Sequence, residues 1–226
     1  SLSGEHEIKF VFSNSRTDVL IQWLESMCQS DPEFPVGVVS SIYYDTAHWV
    51  SLREKINSDY VKTKVRVRWY SGLNGGEEAT DSYVEAKYKI GCQRKKVRVK
   101  IPYSGEWLSS IQLDERKLLE MPFFLRSKGV SLDHTLRPVF QITFKRRRYI
   151  EPLTGSRMCI DYAIAVPKVN WNILPRINPF CLNTSVFEIK GRLSNLPESM
   201  HPLINLGCRE ESFSKYAFCY QKIMGI

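Results

Sequence analysis

Lys64-Val65-Arg66-Val67-Arg68 puts a cation at every second residue, with a valine between each pair. In a β-strand successive side chains point to opposite faces, so Lys64, Arg66 and Arg68 share one face while Val65 and Val67 share the other. The pattern recurs in Glu85-Ala86-Lys87-Tyr88-Lys89, Lys96-Val97-Arg98-Val99-Lys100, Lys145-Arg146-Arg147-Arg148, Glu188-Ile189-Lys190-Gly191-Arg192 and Glu5-His6-Glu7-Ile8-Lys9. A sheet face turned only to solvent usually mixes signs, whereas these strands are overwhelmingly basic, with a carboxylate at intervals. The charged face is therefore expected to be the inner one. Several such strands closed into a barrel would line a cationic bore suited to a polyanion.

Working outward, the chain of 226 residues fits one large domain, and a single domain over 1–226 is expected. Lys plus Arg outnumber Asp plus Glu by 32 to 24, and the net charge of +8 favours acidic partners: nucleic acid, an anionic membrane or phosphate compounds. The six cysteines lack the paired C-x-x-C spacing of a zinc site or redox motif, so they read as reduced thiols of a cytoplasmic protein. No apolar run approaches the ~18 residues of a spanning helix, and no basic-then-apolar leader opens the sequence. A soluble domain is expected, with membership in a longer, membrane-attached protein left open.

Strand patterns cover 5–12, 41–46, 61–70, 82–90, 95–101, 138–150, 157–165 and 185–192. After the first of these, Ser13-Asn14-Ser15 offers N-caps for a helix whose apolar positions are Val19, Leu20, Trp23, Leu24 and Met27. Gly91 and Pro102 bound the fifth strand. Residues 105–128 change character: Trp107, Leu108, Ile111, Leu118 and Leu119 suggest a helical layer interrupted at Pro122. Pro197 and Ser199 introduce a short helix, and 212–224 form a terminal one capped by Ser212 or Ser214. The fold class is α+β: an eight-stranded antiparallel barrel with helices packed outside.

Glu5-x-Glu7-x-Lys9 sets two carboxylates and an ammonium on one strand face, an arrangement able to hold a hard divalent cation beside a phosphate. Glu188-Ile189-Lys190 repeats that logic. Alternating charge on an exposed strand explains either triplet alone, but two triplets together with four basic strands are harder to assign to a solvated surface. Arg suits phosphate because its planar fork bonds two oxygens at once, and Lys supplies a compact charge. Tyr43 and Asp45 share a face and read as structural, with Asp45 opening a turn. The four histidines show no metal-ligand spacing, and no nucleophile elbow, Walker A loop or Cys/His pair occurs. Lys215, in the first turn of a helix where the macrodipole disfavours it, suggests a functional role.

With these residues in hand the chain resembles the VTC family of polyphosphate polymerase domains, within the triphosphate tunnel metalloenzyme superfamily. The resemblance rests on an ordered series: Glu7-Ile8-Lys9-Phe10, Ser41-Ile42-Tyr43-Tyr44-Asp45-Thr46, Arg66-Val67-Arg68-Trp69-Tyr70, Glu85-Ala86-Lys87, Lys96-Val97-Arg98, Arg146 before Tyr149, Arg157 before Asp161, Glu188-Ile189-Lys190 and Phe213-Ser214-Lys215-Tyr216. It implies a tunnel binding triphosphate, the phosphates of ATP and polyphosphate. The implied phosphate ligands are Lys9, Arg53, Arg66, Arg68, Lys87, Lys96, Arg98, Arg146, Arg157, Lys190, Ser214 and Lys215. Lys9, Arg66, Arg68, Lys87, Arg146 and Lys190 are the implied catalytic set. Glu188, with Glu7, is the implied ligand of Mn2+ or Mg2+. Ser212 stands where some polymerases carry another basic residue, and Glu5 makes the start similar to the Glu-x-Glu-x-Lys motif of the CYTH triphosphatases.

Phosphoryl transfer needs mainly positioning and charge stabilisation, which Arg, Lys and a divalent ion supply without a protein nucleophile. The expectation is therefore an ATP-dependent inorganic polyphosphate polymerase acting on pyrophosphate, tripolyphosphate or longer chains. A metal-dependent tripolyphosphatase and a non-catalytic polyphosphate-binding module are the alternatives. Specific nucleic-acid binding is not expected, because stacking aromatics are not interleaved with the basic sets. Association with a membrane partner is left open.

Overall fold

A computed structural model describes residues 6–49, 51–52, 61–73, 81–90, 93–132, 135–192 and 195–226. All eight expected strands are present, as β1 (His6–Ser13), β3 (Val36–Asp45), β4 (Val61–Ser71), β5 (Ser82–Ile90), β6 (Gln93–Ile101), β7 (Arg137–Ile150), β8 (Arg157–Val169) and β10 (Thr184–Gly191). Three two-residue strands join them: β2 (Gln29–Ser30), β9 (Phe180–Cys181) and β11 (Arg209–Glu210). The strand order is β11-β1-β10-β8-β7-β3-β4-β5-β6, with β2 on β7 and β9 on β8. The ladders β1–β10, β10–β8, β4–β5 and β5–β6 are antiparallel.

The expected closed eight-stranded barrel is corrected here. Among the described residues the path is open, ending at β11 and β6 without a ladder between them. On the β1 side the reason is local. β11 pairs with β1 only through Phe10↔Glu210 and Val11↔Arg209, too short a strand to carry the ladder onward.

The chain divides into two compact units, each assembled from three separate segments. The first comprises Ser1–Val38, Phe144–Ile164 and Cys181–Ser214. Its core gathers Phe10 and Phe12 of β1, Phe187 and Ile189 of β10, and Met158 and Ile160 of β8 under α1 (Thr17–Met27) and the 3-10 turn Glu198–Leu203. Ser13 caps a 3-10 turn that precedes α1. The buried stripe of α1 is Thr17, Leu20, Ile21 and Leu24, while Val19 and Met27, expected to pack, are exposed. A buried hydrogen bond between the hydroxyls of Thr17 and Ser185 pins the first turn to β10 at 3.2 Å. The four buried positions are the i, i+3, i+4, i+7 face of the helix, with Thr17 bonded and Leu20, Ile21 and Leu24 packed on the same side.

In the second unit (Val39–Thr143, Ala165–Phe180 and Lys215–Ile226) the apolar faces of β4, β5 and β6 bury Val65, Val67, Trp69, Val84, Ala86 and Ile101. They are covered by α2 (Gly105–Ser110), α3 (Arg116–Glu120) and the 3-10 helix Met121–Lys128. Leu108, Leu118, Met121 and Leu125 of that layer are wholly buried, each contributing roughly 1.5–3 kcal/mol relative to exposure. Ser104 caps α2, and Pro122, expected as an interruption, opens the 3-10 helix that Gly129 ends in the left-handed conformation. From β3, Ile42 and Tyr44 enter this core, and the Tyr44 hydroxyl donates to Leu118 O at 2.7 Å. The terminal helix α4 (Lys215–Met224) buries Tyr216, Cys219 and Ile223. No helix among the described residues is long and apolar enough to cross a membrane.

Candidate functional site

With the valines turned into the helical layer, the opposite face of β4–β5–β6 carries the charge. Register sets the cations in rows across the three strands: Lys64, Lys87 and Lys96; then Arg66, Glu85 and Arg98; then Arg68, Tyr83 and Lys100. Glu85 is the hub. Its carboxylate is almost inaccessible, with Oε2 at 2.8 Å from Arg66 Nε and 2.7 Å from Arg66 Nη2. Its Oε1 lies 3.0 Å from Lys96 Nζ and 3.6 Å from Arg98 Nε, ion pairs rather than directed hydrogen bonds. Burial pushes the Glu85 acid up, yet Arg66, Arg68 and Lys96 outweigh it and pull it down to about 2.

Arg68 is buried but differently placed. Its Nε donates to Ser41 Oγ at 2.9 Å, and no carboxylate among the described residues lies at ion-pair distance. Burial and the neighbouring Arg66 both lower its basicity. The Arg98 guanidinium stacks on Tyr83, 3.4 Å from the ring centroid.

Tyr43, on the same face of β3 as Ser41 and Asp45, brings its hydroxyl 3.5 Å from Arg66 Nη1. Its ring stacks on Tyr216 with centroids 5.3 Å apart. Asp45 anchors that arrangement: Oδ2 accepts from the Tyr216 hydroxyl at 2.6 Å, and the two oxygens also take the backbone N–H groups of Thr46, Ser51 and Leu52. The start of α4 is thereby held so that the Lys215 charge reaches Tyr43. Burial raises the Tyr43 phenol, but Arg66, Arg68 and Lys215 pull it below the usual value, to about 8.

The first unit has a different balance. Its rows are Glu7, Lys190 and Arg157, then Lys9, Glu188 and Cys159. Four of these charges alternate: Lys9 Nζ lies 2.7 Å from Glu7 and 3.8 Å from Glu188, while Lys190 Nζ lies 2.6 Å from Glu188 and 3.8 Å from Glu7. Burial raises the Glu188 acid, but Lys190 and Lys9 more than reverse that, so it stays ionised. Nearby, Arg146 grips the wholly buried Asp161 in a bidentate pair at 2.6 and 2.8 Å.

The two faces thus differ in kind. On β4–β5–β6 the described residues Lys64, Arg66, Arg68, Lys87, Lys96 and Arg98 share a face with Glu85, and Arg66, Lys96 and Arg98 all draw on that one carboxylate; Lys100 pairs with Asp81 at 2.6 Å. In the first unit Lys9, Arg146, Arg157 and Lys190 face Glu7, Asp161 and Glu188, four to three. The former carries more cations than carboxylates among the described residues. The latter pairs charge almost fully and offers two adjacent carboxylates. No group of three or more His, Cys, Asp or Glu able to hold a metal occurs among the described residues. Mg2+ is commonly held by one or two carboxylates plus substrate phosphates, so Glu7 and Glu188 fit a divalent ion that arrives with phosphate.

Of the residues implied as ligands, Arg66, Arg68, Lys87, Lys96 and Arg98 share the β4–β5–β6 face, and Lys215 joins their field through Tyr43. Lys9, Arg157, Lys190, Glu7 and Glu188 share the β1–β10–β8 face, where Arg146 pairs with Asp161. Ser214 is partly buried directly before α4. Arg53 and Glu5 lie outside the described residues. Sequence reasoning missed Glu85, Asp161 and Tyr43 as parts of the site. The signal for the first two was present: an acid two residues before Lys87, and one four after Arg157, each on the cationic face of its strand.

A sequence model of the VTC domain family matches residues 5–224. Among solved structures the chain is similar to the PH1819 protein of Pyrococcus horikoshii OT3, with a TM-score of 0.51 and 15% identity over 96% of this chain and 99% of that one. It is also similar to a Bacillus halodurans protein provisionally assigned as an adenylate cyclase, with a TM-score of 0.52 and 14% identity over 94% and 96%. A comparison with curated proteins finds no match. At such identities the structural likeness is one of fold alone. The family match is of another order: it runs from the first charged strand through α4 and takes in every cationic row described above, and the chain belongs to the VTC domain family.

Proposed function

We propose that this chain is an ATP-dependent inorganic polyphosphate polymerase. The observation that carries the reading is the convergence of Arg66, Lys96 and Arg98 on the one buried carboxylate of Glu85, with the buried Arg68 beside them and no carboxylate at ion-pair distance from it among the described residues. In the second unit Arg66, Arg68, Lys87, Lys96, Arg98 and Lys215 bind phosphate groups of the nucleotide or the growing chain. In the first unit Lys9, Arg146, Arg157, Lys190 and Ser214 are the proposed phosphate-binding residues. Glu7 and Glu188 hold Mn2+ or Mg2+, which when bound neutralises charge on the phosphate oxygens. A terminal phosphate oxygen of the acceptor forms a bond to Pγ, the bond from Pγ to the β-phosphate oxygen breaks, and ADP leaves.

Hydrolysis would need a carboxylate to orient and deprotonate water. Glu188 is held ionised by two lysines, which makes it a weak base. An acceptor phosphate already carries an anionic oxygen and needs no such base, which is the chemical ground for proposing polymerisation, with a tripolyphosphatase using Glu7 or Glu188 as the alternative. Incubation with ATP and Mn2+, followed by gel analysis beside a phosphate-release assay, tests the reading. Acid-labile polymer supports it; free phosphate alone identifies a triphosphatase; tight polymer binding with ATP unchanged identifies a binding module.

A further inference from the structure

Arg68 is 7% exposed, and among the described residues its hydrogen-bond partner is neutral: Nε donates to Ser41 Oγ at 2.9 Å. Ser41 is wholly buried on β3, so that bond is shielded from water. A hydroxyl fixes the direction of a guanidinium without cancelling its charge, and this one leaves the Nη donors out of the bond. Burial and the like charge of Arg66 both disfavour the Arg68 cation, so an anion reaching it would offset both.

A competitor for that charge lies within the protein. Register sets Arg68 opposite Tyr83 and therefore diagonal to Glu85 on the same face, a separation that long side chains span. Arg66 makes two contacts with Glu85 Oε2, whereas Oε1 is buried and accepts no directed hydrogen bond from the described residues, with the ion pairs of Lys96 and Arg98 beside it. Arg68 and Glu85 already feel one another's charge. The strand order is β3-β4-β5, so Ser41 and Glu85 draw the guanidinium of this β4 residue to opposite sides.

We propose that Ser41 is a positioning residue of the phosphate site: its hydroxyl holds the Arg68 guanidinium toward β3, away from Glu85, so that the Arg68 charge is kept for a phosphate oxygen. The inference rests on the phosphate-binding reading above and adds the residue that keeps one of its cations from being neutralised internally. An apolar side chain at position 41 would release Arg68 to Glu85, and a carboxylate there would hold Arg68 but consume its charge. A serine does neither.

Tripolyphosphate dissociation constants are measured by calorimetry for wild type, Ser41→Ala, Arg68→Gln and the double variant, and for the Ser41→Ala change in a Glu85→Gln background. Ser41→Ala removes one buried oxygen and should weaken binding about tenfold. The same change should cost less than about twofold once Arg68 is gone, and less than in wild type once the competing carboxylate is gone. The Nε–H resonance of Arg68 in the ligand-free protein, identified by its loss in Arg68→Gln, gives a second readout and should shift in Ser41→Ala. Unchanged affinity in Ser41→Ala, or an equal loss with and without Arg68 or Glu85, overturns the inference while leaving the phosphate site intact. If Arg68→Gln binds too weakly for the cycle, an Nε–H resonance unmoved by Ser41→Ala overturns it equally. Failure of wild type to bind tripolyphosphate overturns the functional reading, and the inference with it.

Discussion

Replacing Glu85 by Gln keeps the shape of the hub and removes its charge. An ordinary glutamate ionises near 4.5 and Glu85 is pulled down to about 2, a gap of about 2.5 in pKa at roughly 1.4 kcal/mol each, so the ionised hub contributes about 3.5 kcal/mol. At 2% side-chain exposure little of that is screened by solvent. For a chain of this length each kcal/mol moves the melting temperature by about 2–4 °C, so Glu85→Gln should melt about 7–14 °C below wild type at neutral pH. The pKa is depressed in the folded state. This stability is therefore fully present above about pH 4.5 and lost as pH falls through about 2, and the gap between the two proteins should close over that window. The same charge deletion leaves Arg66, Lys96 and Arg98 without their shared carboxylate, so tripolyphosphate should raise the variant's melting temperature more than that of wild type at equal concentration. Thermal melts of both proteins over pH, with and without tripolyphosphate, measure all three effects. Equal melting temperatures at neutral pH, or a smaller ligand-induced rise in the variant, would refute the role assigned to Glu85.

Tripolyphosphate at 100 times its dissociation constant adds about 2.7 kcal/mol and should raise the wild-type melting temperature by about 5–10 °C; an equal rise with sulfate at matched ionic strength contradicts a built site. Arg68→Gln should lower tripolyphosphate affinity at least about tenfold at a smaller cost in melting temperature than Glu85→Gln, because Arg68 acts on Glu85 only through its field, with no carboxylate among the described residues at ion-pair distance, and is itself crowded by Arg66. Arg66→Ala, in contrast, leaves the buried Glu85 without its closest partner, and calorimetry beside thermal melts separates the two cases. Glu188→Gln should abolish turnover with Mn2+ while sparing polyphosphate affinity in EDTA; normal turnover would remove Glu188 from the metal role and leave Glu7 as its holder.

The period-two alternation determined the strands and which face of each is apolar. Val65 and Val67 are buried under the helical layer and Arg66 and Arg68 lie opposite, because a strand side chain has only two directions available. Partnership across strands was not legible in the same way. That Glu85 stands between Arg66 and Arg98 depends on the register of two hairpins, and a slip of one residue would have turned every side chain to the other face. The Thr17 bond from α1 to Ser185 and the Tyr216 bond to Asp45, spanning 168 and 171 residues, are contacts no local window contains. The strands β2, β9 and β11 are two residues long, below any periodicity, and the open end at β11 followed from that length. Alternation along the chain therefore sufficed for what each strand shows to its two sides. Only the tertiary structure decided which charges neutralise one another and which remain for a ligand, because electrostatic pairing depends on distances that sequence separation does not set.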